Sequence, residues 1–137
     1  MKSTDYWRAA PWDPSRGKIA LHESLHAAVA QLLGGEAYTI AVNKESGWAR
    51  TTNQWPWQDI AVWLAPALIS DMSVVDEKYI KRQSSRQRGY AWGWLKKNRR
   101  RIMRLAYKIR AQIGAGVGKL EWNPETTRWK WKRRKKR

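Results

Sequence analysis

Between Ile19 and Leu33 apolar residues fall on nearly every side of a helical wheel (Ile19, Ala20, Leu21, Leu25, Ala27, Ala28, Val29, Ala30, Leu32, Leu33). That pattern predicts a buried helix from about Arg16 to Leu33, capped by Ser15 and closed at Gly34-Gly35. The period then changes. Ala37 to Val42 and Trp48 to Thr52 are short stretches rich in β-branched and aromatic residues, separated by Asn-Lys-Glu-Ser-Gly, and predict a hairpin. Trp55-Pro56 opens a second, mostly buried helix from about Trp57 to Ser70, kinked at Pro66. Ser73, followed by Asp76 and Glu77, reads as the capped start of a third helix reaching about Gln87. After a break at Gly89-Tyr90-Ala91-Trp92-Gly93, Leu95, Ile102, Leu105, Ala106, Ile109 and Ile113 keep helical spacing and predict a fourth helix over Trp94 to Ile113. Residues 1 to 14 read as an irregular lead-in, and residues 114 to 137 as a basic, Trp-rich tail whose Trp122 to Arg137 is expected to be disordered when unbound. The expected fold is α+β and predominantly helical, with one domain over residues 15 to 113.

The polar residues that interrupt the first helix carry the candidate chemistry. Both histidines of the chain lie there, in His22-Glu23-Ser24-Leu25-His26. A spacing of four stacks the two imidazoles one turn apart on one face, where both can reach a single tetrahedral ion. Glu23 then stands about 100° round the helix, beside the metal and not on it, placed to take a proton from water and return it to a departing amine. Two imidazoles and a carboxylate on so apolar a helix are costly to bury without a partner, and a metal ion would satisfy all three.

Composition narrows the ligands. The chain has no cysteine, which excludes disulfides, thiolate metal sites and cysteine nucleophiles. With only two histidines, a third protein ligand must be a carboxylate. Gly114 to Lys119 superficially suggests a phosphate-binding loop, but Leu120 stands where Ser or Thr is required and the segment follows a helix. No run of 18 apolar residues and no signal-peptide pattern occurs, so the expectation is a soluble, cytoplasmic protein.

Charge divides the chain. Residues 1 to 77 hold 6 Lys/Arg against 9 Asp/Glu, whereas residues 78 to 137 hold 22 against 2, out of a total of +17. Tryptophan, present eleven times while phenylalanine is absent, is interleaved with this cationic half. Lys96, Lys97, Arg99, Arg100, Arg101 and Arg104, with Trp129, Lys130, Trp131, Lys132, Arg133 and Arg134, are therefore candidate nucleic-acid contacts, the cations for phosphates and the tryptophans for bases. An anionic membrane surface is the competing polyanion.

The order of parts, H-E-S-L-H-A-A-V-A-Q-L-L-G-G, then a hairpin containing T-I-A-V and G-W-A-R-T-T, then L-A-P-A-L-I-S, then S-V-V-D-E-K-Y-I, resembles the peptidase domain of the FtsH-like zinc metallopeptidases, especially small stand-alone bacterial and phage forms. The similarity spans residues 18 to about 113. It implies a zincin-like domain, Zn2+ held by His22, His26 and a distant Asp, and Glu23 as the base. Asp76 matches that distant Asp best, with Asp71 as the alternative. Leu25 and Pro66 stand where the family often has glycine, and the ATPase module and membrane segments of the family do not occur in this sequence. The resemblance thus implies an ATP-independent endopeptidase acting on unfolded or extended polypeptide, with the edge of Trp48 to Thr52 available to it. The contrasting expectation is a non-catalytic, nucleic-acid-associated structural or virion protein on the same fold.

Overall fold

The computed structural model describes residues 16–43, 46–53 and 55–134. The lead-in 1–14, the Ser15 cap, part of the first hairpin turn and residues 135–137 lie outside it. Among the described residues the order is α1 (Arg16–Leu32), β1 (Glu36–Val42), β2 (Gly47–Thr52), α2 (Pro56–Leu64), a 3-10 turn (Ala65–Ile69), α3 (Val74–Lys81), α4 (Ser85–Lys97), α5 (Arg99–Ala111), β3 (Gly118–Asn123) and β4 (Arg128–Arg133). The fold is α+β, with five α-helices and one antiparallel sheet in the order β2-β1-β3-β4.

Helix α1 is the centre of the core. It lies against β1, β2, α2 and α5 at once, which is why its apolar residues spread round the helix. Leu25, Val29, Ile40, Val42, Ile60, Leu64, Leu95, Ile102 and Leu120 are fully enclosed around it. The helix ends where the glycines require. Gly34 takes φ 78°, and Gly35 N–H returns to the Ala30 carbonyl at 2.9 Å, closing the last turn.

Four boundaries differ from the sequence-based expectation, each for a physical reason. The second helix stops at Leu64 and tightens into the 3-10 turn, because Pro66 has no N–H for the Val62 carbonyl. The third helix ends at Lys81, and Ser84 caps a new one by accepting the Gln87 N–H at 3.2 Å. Gly89 and Gly93 do not break the chain; they sit inside α4, where burial of Ala91, Trp92 and Leu95 outweighs their low helix propensity. The break falls instead at Asn98, whose side-chain amide donates to the Trp94 carbonyl at 2.9 Å and separates α4 from α5.

The largest correction concerns the tail. Residues 118–133 form a second hairpin, and β3 pairs with β1, extending the expected two strands to four. Leu120 is fully buried, and Trp129 and Trp131 pack on the core. Small residues permit this approach: a Cβ on Gly114 would lie 2.3 Å from the Trp131 ring. No helix among the described residues is long and apolar enough to cross a membrane.

Candidate metal centre

One turn of α1 brings His22 Nε2 and His26 Nε2 to 3.3 Å from each other. Asp76 Oδ2 approaches the same point, 3.1 Å from His22 Nε2 and 3.6 Å from His26 Nε2. Ligand atoms bound to one tetrahedral zinc at ordinary bond lengths stand roughly 3.3–3.5 Å apart. The three edges found here, 3.1, 3.3 and 3.6 Å, lie within about 0.2 Å of that range. His22, Glu23, His26, Asp71 and Asp76 are all buried, between 4% and 8% exposed.

Hydrogen bonding behind the imidazoles decides which nitrogens face that point. His22 Nδ1 lies 3.2 Å from Asp71 Oδ2, and His26 Nδ1 lies 2.6 Å from the Val62 carbonyl. Both partners are acceptors, so in the neutral imidazoles, the form that binds a metal, each Nδ1 carries the proton and each Nε2 has a lone pair. Asp76 Oδ2 has no hydrogen-bond partner. Two lone pairs and a carboxylate oxygen therefore converge in a buried space with no donor among them, an arrangement that a cation stabilises. Without a cation, a proton on His22 takes its place: burial lowers the basicity of His22, but the hydrogen bond to Asp71 and the nearby carboxylates of Asp76 and Glu23 outweigh it and push the imidazole up to about 10, so a metal binds His22 by displacing that proton. Burial raises the Asp76 carboxyl, yet the two histidines win and hold it well below the usual carboxylate range.

The two aspartates thus have different places. Asp76 faces both Nε2 atoms, whereas Asp71 stands behind His22. Local structure explains each. Ser70 adopts a left-handed conformation (φ 53°) at the end of the 3-10 turn, and Asp71 N–H bonds the Pro66 carbonyl at 3.0 Å, turning Asp71 back toward α1. Ser73 caps α3 by accepting the Asp76 N–H at 3.1 Å, which fixes the Asp76 backbone while its carboxylate remains available to the site.

Glu23 is set beside the triangle. Its Oε1 lies 3.9 Å from His26 Nε2, and ligand-capable atoms of His22, Glu23 and His26 fall within 4.8 Å of one another. Asp76 Oδ2 is nearer to His26 Nε2 than Glu23 Oε1 is, 3.6 Å against 3.9 Å, and also stands 3.1 Å from His22 Nε2. Burial pushes the Glu23 carboxyl up, against the opposing pull of His26 and His22.

The site opens into a cleft of about 630 Å³, lined on one side by residues 46–51 along β2 and on the other by Asp59, Val62, Trp63, Ser73 and Val75. β2 is an edge strand of the sheet. Its first residue, Gly47, touches the motif so closely that a Cβ there would lie 2.9 Å from Glu23 Cγ. On the opposite wall the Tyr79 hydroxyl donates to Asp59, and Trp63 stacks on Tyr79 at 4.5 Å while its edge meets His26 at 6.4 Å, tying α2 to α3. Burial and the Asp59 acceptor both raise the Tyr79 phenol above its ordinary value.

Sequence reasoning missed Val62 and Gly47. A carbonyl ligand partner leaves no side-chain signature, although Pro66, four residues after Val62, marks a carbonyl without its usual helical donor. The candidate nucleic-acid residues separate into two groups. Lys96, Lys97, Arg99, Arg100, Arg101 and Arg104 are exposed on α4 and α5, and Lys130, Lys132, Arg133 and Arg134 are exposed on or beside β4. Trp129 and Trp131 do not join them, because strand alternation turns both rings to the core, with Trp122 packed 5.2 Å from Trp129. Comparison with protein-family models, with curated proteins and with solved structures returns no match.

Proposed function

We propose that this protein is a zinc-dependent endopeptidase of FtsH-like type, with His22, His26 and Asp76 as metal ligands and Glu23 as general base. The observation that carries the reading is the triangle of 3.1, 3.3 and 3.6 Å edges between two Nε2 lone pairs and a carboxylate oxygen without a donor. Zinc, when bound there, supplies a Lewis acid for the scissile carbonyl and lowers the pKa of a reacting water. Glu23 receives the proton from that water on its carboxylate and delivers it to the leaving amide nitrogen. Asp71 and the Val62 carbonyl hold the imidazoles in the tautomer that keeps both Nε2 atoms free for the metal. An extended polypeptide binds along the free edge of β2, its backbone pairing with the strand that borders Glu23. That mode favours unfolded segments, whose backbone is extended and unpaired along its whole length.

The deciding experiment pairs cleavage with metal content. Cleavage of an unfolded peptide library should be abolished by chelation and restored by zinc, and Glu23→Gln should lower it at least ~100-fold while the zinc content stays at one per chain. Wild-type protein that holds zinc and cleaves nothing would make the site structural.

The exposed cations of α4 and α5, from Lys96 to Arg104, form the second part of the proposal, a sequence-independent surface for polyanions that localises the enzyme. Its affinity should fall steeply with salt.

A further inference from the structure

The sheet has a second face, away from α1. Residues directly opposed across antiparallel strands share a face, so the strand registers define rows. Trp48, Ala41, Lys119 and Lys132 make one row; Arg50, Thr39, Glu121 and Lys130 make the next, and Arg128 lies opposite Asn123 beyond them. Lys119 Nζ reaches across β1 to 5.4 Å from the centre of the Trp48 ring. This accounts for Ala41, enclosed at 2% exposure beneath the pair although it lies on the outer face. Trp48 itself is 43% exposed. Arg50, Lys119, Arg128, Lys130 and Lys132 are all exposed, drawn from three of the four strands. Among the described residues, the acids on this face are Glu121, paired with Lys132 at 3.1 Å, and Glu36 at the far end, where it accepts the Tyr38 hydroxyl.

Two properties select an occupant. Cations spread over three strands suit a flexible chain of negative charges, and a wide aromatic ring set among them offers a stacking surface for any base. A duplex buries the faces of its bases and gains nothing from Trp48. Acidic polypeptides meet the cations but do not stack on the ring, and an anionic membrane takes up an indole by insertion at its interface, a mode that the vesicle arm of the test distinguishes. We propose that the outer face of the sheet binds single-stranded nucleic acid without sequence preference, one base stacking on Trp48 and the backbone crossing Lys119, Lys130 and Lys132. This surface includes Trp48 and Arg50 from the near-neutral half of the chain, which also border the cleft, and it uses neither the candidate metal ligands nor Glu23. It is also separate from the α4–α5 cations, whose array lacks a tryptophan as exposed as Trp48.

The test measures anisotropy of a labelled oligothymidylate and of a duplex of equal length, with the full chain, across a range of salt concentrations. Trp48→Leu should weaken the single strand by about tenfold or more while duplex affinity changes little. The double substitution Lys119→Gln with Lys130→Gln should lower the salt slope by roughly 1.4, two contacts at ~0.7 each for a single strand. Lys78→Gln with Arg86→Gln, exposed on α3 and α4, should leave single-strand affinity within about twofold, whereas Arg100→Gln with Arg104→Gln should lower single-strand and duplex affinity alike. Circular dichroism melting profiles matching wild type establish that each variant is folded. Single-strand affinity that survives both sheet substitutions, or is lost only with the α5 pair, overturns the proposal. So does equal, Trp48-dependent binding of polyglutamate or of phosphatidylserine vesicles, which would assign the face to an acidic polypeptide or a membrane.

Discussion

At the base of the cleft, His22, Glu23, His26, Asp71 and Asp76 each touch at least one other member of the group, and none is more than 8% exposed. On α4 and α5, Lys96, Lys97, Arg99, Arg100, Arg101, Arg104 and Lys108 stand exposed on two helices, with no acid among residues 85–111 to balance them. Both regions are dense in ionisable side chains, yet they follow opposite rules. In the buried region each group is a required partner of another, so removing one leaves an uncompensated charge or lone pair. On the exposed helices water solvates every cation, and only a long polyanion makes them act together. The metal centre should therefore respond steeply and individually to substitution, and the cationic surface weakly and additively.

The largest effect expected is at Asp76. Asp76→Ala removes the anionic corner of the triangle and leaves two imidazole lone pairs facing each other at 3.3 Å. Zinc affinity, measured by competition with a chromophoric chelator, should fall by more than the ~10–100-fold typical of a group outside the ligand shell. A smaller loss would mean that Glu23, not Asp76, is the third ligand. Asp71→Asn is the contrasting case. It keeps an acceptor for His22 Nδ1 but deletes the charge behind it, so affinity should drop within that ~10–100-fold range. If Asp71→Asn costs more than Asp76→Ala, the two aspartates exchange roles.

Much of the buried region was legible in the sequence because it depends on local spacing. The four-residue interval of His22 and His26 fixes one face of one helix, and Ser73 with Asp76 marks a helix start whose third residue carries the carboxylate. The choice between Asp71 and Asp76 was not legible from spacing, since it depends on the left-handed turn at Ser70, which residue type alone does not announce. The cationic half was read less well. Trp-Lys-Trp-Lys at 129–132 is an alternating pattern, but its high charge suggested a solvated tail; the structure uses the period of two to bury the rings and expose the lysines. Gly89 and Gly93 suggested a break because local propensity was weighed without the burial of Ala91, Trp92 and Leu95 between and beside them.

Pro66 tests how far the steep rule extends. Its missing N–H leaves the Val62 carbonyl with only the tighter bond from Ala65 N–H, and that carbonyl accepts His26 Nδ1 at 2.6 Å. Pro66→Ala restores a competing donor and lets α2 continue toward Ser70. Zinc affinity should fall, but by less than ~10-fold, because the carbonyl can accept two hydrogen bonds. Thermal stability of the metal-free protein should hold or rise, since a helical hydrogen bond is gained. Loss of both affinity and stability would instead show Pro66 acting through packing, as its burial in the core permits.

The smallest individual effects are expected on α5, where Arg104 is exposed. Arg104→Gln should weaken duplex DNA binding by less than about threefold at physiological salt, uniformly across sequences, and lower the slope of log affinity against log salt by about 1. Successive replacement of Arg100, Arg101 and Arg104 should add, each contributing a similar decrement, because the side chains share no buried partner. A single arginine whose loss abolished binding would break the contrast with the metal centre. It would make that residue part of a specific contact, with a geometry that the open face of α5 does not by itself impose.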